Sequence, residues 1–412
     1  MDVRVSAGNG LSGDIAAVSS KSDAHRLIIC AALADKAARI DYNGRSDDIA
    51  ATLACVEALG ARAEQSPRGA VITPPRPADN EPAAAPKLRC NESGSTLRFL
   101  IPVAAALLDN AEFYGAGRLR ERPLEPLLSE MRAHGCSFEQ PADEGAPILR
   151  ARGRLRGGRF TIPGDVSSQF VSGLLMALPL IGGGEITVTK PVQSRSYIDM
   201  TVSAMERFGV PVKREDNTYI IEGGLVYRSP GEIAAEGDWS NAAFWLAANN
   251  LGADIRVGGL NENSLQGDKA AAAILAYLKN KENEHEIDAA QIPDLVPILA
   301  VAAAAAPGTT RIYNAERVRL KESDRLRAVT LNLNALGADI EELPGGLVIK
   351  GGKRLAGGDV DGWNDHRIVM ACAVAALACA NPVVIRGAQA VNKSYPQFFE
   401  DFKALGGEVT TC

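Results

Sequence analysis

The chain is poor in aromatic residues, which make up 5% of its 412 residues, and has four His. Its seven Cys (Cys30, Cys55, Cys90, Cys136, Cys372, Cys379 and Cys412) include no C-x-x-C pair, and the His do not cluster with them. This excludes a zinc or disulfide framework and leaves buried, reduced thiols as the reading. No apolar run reaches the roughly 20 residues of a membrane-spanning helix, and "AVAAAAAP" is both too short and too Ala-rich. The start, "MDVRVSAGNGLSGDI", reads as a strand and has no apolar signal core, which points to the cytoplasm. There is no P-loop and no G-x-G-x-x-G in a strand–helix context, which argues against kinase and dinucleotide chemistry. A formal net charge of -6 argues against a nucleic-acid surface, though not against a locally basic pocket.

What is present is apolar mass, 46% of the chain, enough for more than one core. Much of it recurs in one pattern, a polar start followed by an apolar helix. The copies are "SSKSDAHRLIICAALA" at Ser19, "NESGSTLRFLIPVAAALL" at Asn91, "GDVSSQFVSGLLMALPL" at Gly164, "GDWSNAAFWLAANN" at Gly237, "IPDLVPILAVAAAAA" at Ile292 and "WNDHRIVMACAVAALA" at Trp363. Six copies at roughly 55–75 residues form a repeat at domain-building scale. Helices with spaced apolar residues alternate with them, as in "TLACVEALGARAE" at Thr52 and "TVSAMERFGVPVK" at Thr201. Five of these six end at a Gly suited to a left-handed cap, and the copy at Ala271 does not. Short strand candidates such as "GEITVTK" and "PVVIRG" lie between. Each unit reads as strand, buried helix, strand, amphipathic helix and one or two strands, and six units suit two domains of three. "TPPRPADNEPAAAP" (Thr73 to Pro86) reads as an exposed connection.

The helix starts carry the chemistry. A helix N-terminus offers unpaired N–H groups and partial positive charge. Ser, Asp and Asn there serve as caps. Cations at the same place oppose the dipole, and a bound anion resolves that conflict. Lys21, Arg26, Arg98 and Arg367 stand at such starts, and Arg122, Lys321, Arg325 and Lys393 in nearby loops. Together they predict a pocket for phosphates or carboxylates. Asp294, Glu322 and Asp365 add candidate proton carriers, with capping the plain alternative for the two Asp and local ion pairing for Glu322. His366 is read either as a proton shuttle or as a hydrogen-bonding loop residue.

These residues resemble the enolpyruvyl transferases from end to end. The resemblance rests on "SKSDAHR", "ESGSTLRFL", "RERPLEPLL", "GDVSSQF", "SRSYIDMT", "EGDWSNAAFWLAA", "IPDLVPILAV", "VRLKESDRLRA", "WNDHRIVMA" and "NKSYPQFFE", in that order. It implies an inside-out α/β barrel of two domains, each of three β-α-β-α-β-β repeats around buried parallel helices. One domain is expected over 19–236 and the other over 1–18 plus 237–412, with the active site in the cleft between them. The implied partners are shikimate 3-phosphate and phosphoenolpyruvate, joined at the 5-hydroxyl with release of phosphate, on the route to chorismate and the aromatic amino acids. No metal or organic cofactor is implied, nor a nucleic-acid or membrane partner, and the expected state is a monomer.

By the same resemblance, Lys21, Ser22, Arg26, Ser167, Ser168, Gln169, Ser194, Asp294 and Lys321 hold shikimate 3-phosphate, with Tyr197 nearby. Lys21, Gly94, Arg122, Gln169, Arg325, Arg367 and Lys393 hold phosphoenolpyruvate. Asp294 is the implied base for the 5-hydroxyl, and Glu322 with Lys21 the implied acid for the methylene. Gly94 leaves the space where glyphosate sits in this family, which implies a glyphosate-sensitive enzyme. Two departures stand out: Ser19-Ser20 replaces the usual Pro-Gly, and Glu92-Ser93-Gly94-Ser95 replaces Asn-Ala-Gly-Thr, setting a carboxylate beside the phosphoenolpyruvate loop. The sister activity on UDP-N-acetylglucosamine is the nearest rival. Its loop typically carries a Cys shortly before the Arg matching Arg122, whereas "GAGRLRERP" has none. A non-catalytic anion-binding protein on this scaffold would be expected to lack some of Lys21, Asp294, Glu322 or Lys393, and all four are present.

Overall fold

The computed structural model describes residues 1–75, 84–143, 145–280 and 284–412. Most of the Pro-rich connection lies outside the described residues. The chain divides into two compact units, Lys21–Ala235, here the first, and Met1–Ser20 with Glu236–Cys412, the second.

The first unit has helices α1 (Lys21–Ala32), α2 (Asp47–Ala58), α3 (Gly94–Leu107), α4 (Leu127–Ala133), α5 (Ser168–Ala177) and α6 (Arg195–Arg207). The second has α7 (Trp239–Asn250), α8 (Ala270–Leu278), α9 (Val296–Ala305), α10 (Arg325–Ala335), α11 (His366–Ala375) and α12 (Phe398–Ala404). The odd-numbered helices are the apolar copies. Every residue of α11 is buried, as are Val296 to Ala304 of α9. Helices this apolar all round are stable only when enclosed, so their contacts with sheet and neighbouring helices are the cores of the two units.

Three four-stranded sheets in the first unit and two in the second share one order, a parallel pair followed by two antiparallel pairings. In one of them Lys87–Arg89 runs parallel to Asn110–Tyr114, which pairs antiparallel with Leu149–Arg152, and that with Ser137–Glu139. The parallel pair flanks a buried helix, and the hairpin follows an amphipathic one. The even-numbered helices end as the sequence predicts, at Gly60, Gly135, Gly209, Gly337 and Gly406, all at positive φ. The sixth sheet has two strands, Ser12–Ala16 and Asp254–Gly258. It belongs to the repeat whose amphipathic helix, α8, lacks that Gly, and the next described strand, Glu284–Asp288, pairs with Thr309–Tyr313 of the following repeat. The start of the chain forms two strands rather than one, Val3–Ser6 and Ser12–Ala16, each in a different sheet of the second unit.

Candidate active site

Sequence and local backbone set the helix starts. Asp365 caps α11, accepting the Arg367 N–H at 2.9 Å, after a turn in which Trp363 and Asn364 both take positive φ. Ser93 caps α3 after Asn91 at positive φ, Ser167 caps α5 and Asp238 caps α7. Asp294 precedes α9 without capping it, so its carboxylate is committed to side chains instead.

In the second unit those side chains form one charged centre. Arg325, with 1% of its side chain exposed, reaches three carboxylates. Its Nε donates to Asp365 Oδ2 at 2.8 Å, its Nη1 to Asp294 Oδ1 at 2.8 Å and its Nη2 to Glu322 Oε2 at 2.8 Å. Arg367 donates from Nη2 to Asp294 Oδ2 at 3.2 Å and from Nη1 to the Asp294 carbonyl at 3.2 Å. Lys321 Nζ lies 3.3 Å from Asp294 Oδ1. Lys393 is buried and donates to the Asn364 carbonyl. The starts of α7, α9, α10 and α11 therefore meet, since Arg367 also donates to Ser240 Oγ at 3.1 Å.

The charges tune each other. Burial alone raises the Asp294 carboxyl, but Arg367, Lys321 and Arg325 outweigh it and hold Asp294 well below the usual carboxylate range. Burial lowers the Lys321 ammonium to about 8 against the pull of Asp294. Burial likewise disfavours the Arg325 cation, yet Asp365, Glu322 and Asp294 more than compensate and raise it. Asp294 is thus an ionised carboxylate encircled by cations, able to accept a proton once part of that positive charge is drawn elsewhere.

The first unit holds a second centre. Lys21, the first residue of α1, pairs with Asp48 at 2.7 Å. Arg26 is buried: Nε donates to Thr201 Oγ1 at 2.7 Å, Nη2 to the Tyr197 carbonyl at 2.8 Å and Nη1 to the Ser22 carbonyl, with the guanidinium 4.9 Å from the Phe99 ring centroid. Gln169 joins α5 to α3, accepting from Arg98 Nη1 at 2.8 Å and donating to Ser95 Oγ at 2.9 Å. Ser167 and Ser168 are buried at the same helix start, and Ser194 is buried at positive φ where α6 begins. Gly94 lies against Arg122: a β-carbon there would fall within 2.6 Å of the Arg122 Cζ. Glu92 lies in the same way against Gly117, in the loop that leads to Arg122.

Four residues have partners that the sequence does not specify. Asp365 caps α11, and its carboxylate also pairs with Arg325, the first residue of α10, a partner that the sequence does not announce. Arg98 was legible only as a cation at a helix start; it links Gln169 to the Pro123 carbonyl, next to Arg122, at 2.8 Å. Ser240 and Asp268 carry no distinguishing signal in the sequence: Ser240 reads as one more polar residue of a helix start, and Asp268 stands beside Lys269 outside the repeated helix starts. His366 is buried, with Nδ1 3.8 Å from Asp365 Oδ1. Among the described residues no group of three or more His, Cys, Asp or Glu is arranged to hold a metal ion. No helix among them is long and apolar enough to cross a membrane.

A family model described as EPSP synthase (3-phosphoshikimate 1-carboxyvinyltransferase) matches residues 5–402. A Clostridium acetobutylicum protein named 3-phosphoshikimate 1-carboxyvinyltransferase is 41% identical, covering 97% of this chain and 96% of that protein. One of the same name from Clostridium kluyveri is also 41% identical, with the same coverage. The solved EPSP synthase of Acinetobacter baumannii superposes with a TM-score of 0.80 at 25% identity over 100% of both chains. The enolpyruvyl transferase NikO of Streptomyces tendae shares the fold, with a TM-score of 0.75 at 18% identity over 99% of this chain and 98% of its own.

Proposed function

The chain belongs to the EPSP synthase (3-phosphoshikimate 1-carboxyvinyltransferase) family, and from that premise we propose how its own residues carry the reaction. It transfers the enolpyruvyl group of phosphoenolpyruvate to the 5-hydroxyl of shikimate 3-phosphate, a step of the shikimate pathway towards the aromatic amino acids, and releases phosphate.

Two polyanions must meet, so cations are needed to offset their repulsion and hold them aligned. In our reading Lys21, Ser22, Arg26, Ser167, Ser168, Gln169, Ser194 and Lys321 hold shikimate 3-phosphate. Arg122, Arg325, Arg367 and Lys393 hold phosphoenolpyruvate, with Lys21, Gly94 and Gln169 also against it. Three Arg26 donors already serve Thr201, Tyr197 and Ser22, so Arg26 acts on the substrate with those that remain.

In the addition step the 5-oxygen bonds to the central carbon of phosphoenolpyruvate. Its proton passes to Asp294, and the methylene gains a proton from Glu322 or Lys21 to become a methyl group. Elimination then returns a proton from that methyl to Glu322 or Lys21, breaks the carbon–oxygen bond to phosphate, which leaves with the proton held by Asp294, and restores the double bond. Carboxylates around Arg325 stabilise positive charge that develops at the central carbon. Phosphoenolpyruvate oxygens on Arg367 and Arg325 draw on the charge that keeps Asp294 a weak base, so substrate binding itself strengthens the base. A monomer in the cytoplasm, sensitive to glyphosate, completes the proposal.

The observation that carries this reading is the placing of Asp294 against Arg325, Arg367 and Lys321, a base among the cations assigned to both substrates. Asp294→Asn tests it. Turnover is expected to fall by roughly 10³-fold, within the range general bases contribute, while calorimetry still detects shikimate 3-phosphate binding. Near-normal turnover would remove Asp294 from the mechanism.

A further inference from the structure

Asp268 stands outside the substrate-contacting sets assigned above, yet only 3% of it is exposed. It lies in the short turn Gly267–Lys269 that leads into α8, and this turn packs on α7. Its Oδ2 accepts the hydroxyl proton of Ser240, the second residue of α7. Ser240 Oγ in turn accepts from Arg367 Nη2 at 3.1 Å. The same Nη2 donates to Asp294 Oδ2 at 3.2 Å. A hydroxyl has one proton and two lone pairs. By taking the proton, the Asp268 carboxylate leaves a lone pair of Ser240 to face the guanidinium.

We propose that Asp268 is a positioning residue for phosphoenolpyruvate: it fixes the direction of the Ser240 hydroxyl, which holds Arg367 where Arg367 also meets Asp294. The inference rests on the assignment of Arg367 to phosphoenolpyruvate.

A buried carboxylate is costly unless it is hydrogen-bonded and paired. Here the surroundings are mixed. Asp294 and Asp238 repel the ionised form, while Arg367 and the Ser240 hydroxyl favour it. Lys269, on Asp268's own turn, donates instead to the Ser264 carbonyl at 2.7 Å. Burial, with Asp294 acting the same way, pushes the Asp268 carboxyl up to about 6. Asp268 is therefore ionised above pH 6. As pH falls through that value it becomes a donor itself, the Ser240 proton is no longer held, and Arg367 loses an acceptor. An ordinary structural carboxylate would cost stability when removed and would leave the two Michaelis constants in proportion. A positioning carboxylate separates them.

The test is steady-state kinetics from pH 5 to 8 on the wild type, Asp268→Asn, Ser240→Ala and the double variant. At pH 8, Asp268→Asn is expected to raise the KM for phosphoenolpyruvate about tenfold, as expected for a weakened charge-assisted contact. The KM for shikimate 3-phosphate should stay within about twofold. The wild type should lose the same advantage as it is acidified, so the ratio of variant to wild-type KM should shrink towards one at pH 5. Titration of the substrates' own phosphates is common to all four proteins and cancels in that ratio. Ser240→Ala should match Asp268→Asn, and the double variant should be no worse than either single one.

A ratio that stays constant with pH overturns the proposal, as does a parallel rise in both Michaelis constants or an additive double variant. If Asp268→Asn does not fold, Ser240→Ala decides by the same split. Absence of turnover by the wild type would instead sink the proposed function, which separates the two failures.

Discussion

Arg325 sets the terms of the second unit's centre. One guanidinium serves Asp365, Glu322 and Asp294 through three charge-assisted hydrogen bonds. Lys321 is the weaker cation of the group, lowered to about 8 by burial. The sign of its pH effect follows directly: charged below pH 8 and neutral above, Lys321 loses its hold on an anion as pH rises. Shikimate 3-phosphate affinity, measured by calorimetry, should therefore fall between pH 8 and 9.5 in the wild type. Lys321→Arg, which stays charged throughout, should remove the fall; a decline that persists in that variant would place its origin elsewhere. Gly94 makes a steric prediction. A β-carbon there presses on the Arg122 guanidinium, whose buried position leaves little room to yield. Gly94→Ala is expected to raise the KM for phosphoenolpyruvate and the glyphosate inhibition constant together, and the wild type is expected to have an inhibition constant near or below its KM for phosphoenolpyruvate. A wild-type constant far above that KM would contradict the proposed sensitivity.

At the scale of elements, helix starts are tied to one another by buried polar chains. In the first unit His25 Nδ1 lies 2.6 Å from Thr52 Oγ1, Thr52 Oγ1 2.6 Å from Thr96 Oγ1, and Thr96 Oγ1 donates to Ser93 Oγ at 2.7 Å. This chain joins α1 and α2 to the cap of α3, next to Gly94. Burial, aided by Lys21 and Arg26, holds the His25 imidazole well below its usual range, so the ring is neutral. Thr52→Val keeps the shape and breaks the chain on both sides. It should cost about 2 kcal/mol of stability, the usual scale for stranding buried polar groups, read from urea unfolding; a loss under about 0.5 kcal/mol would mean that the neighbours find other partners. The repeat itself was legible in the sequence. A polar start before an apolar helix, and Gly after an amphipathic one, are local signals with local causes, and both recur in the structure. Even the exception was marked, since the copy at Ala271 without its Gly belongs to the two-stranded sheet. What could not be read was which guanidinium meets which carboxylate. Asp365 pairs with Arg325 across 40 residues, and Asp268 reaches Arg367 through Ser240. Such pairings depend on how helices pack, which periodicity does not encode.

For the whole molecule, a formal net charge of -6 coexists with buried cations, Arg325, Arg367 and Lys393 in the second unit and Arg26, Arg98 and Arg122 in the first. The family motifs run in order along the chain, and the family match extends over residues 5–402, so the reaction assigned to the family is assigned to this chain as a whole. In the sequence the two acceptors differ through the loop "GAGRLRERP", which has no Cys. Acceptor choice is therefore the most direct measurement. Phosphate release from phosphoenolpyruvate should be followed with shikimate 3-phosphate and, separately, with UDP-N-acetylglucosamine. The prediction is stoichiometric release with the first and none with the second. No release with shikimate 3-phosphate, or turnover with the nucleotide sugar, would contradict it.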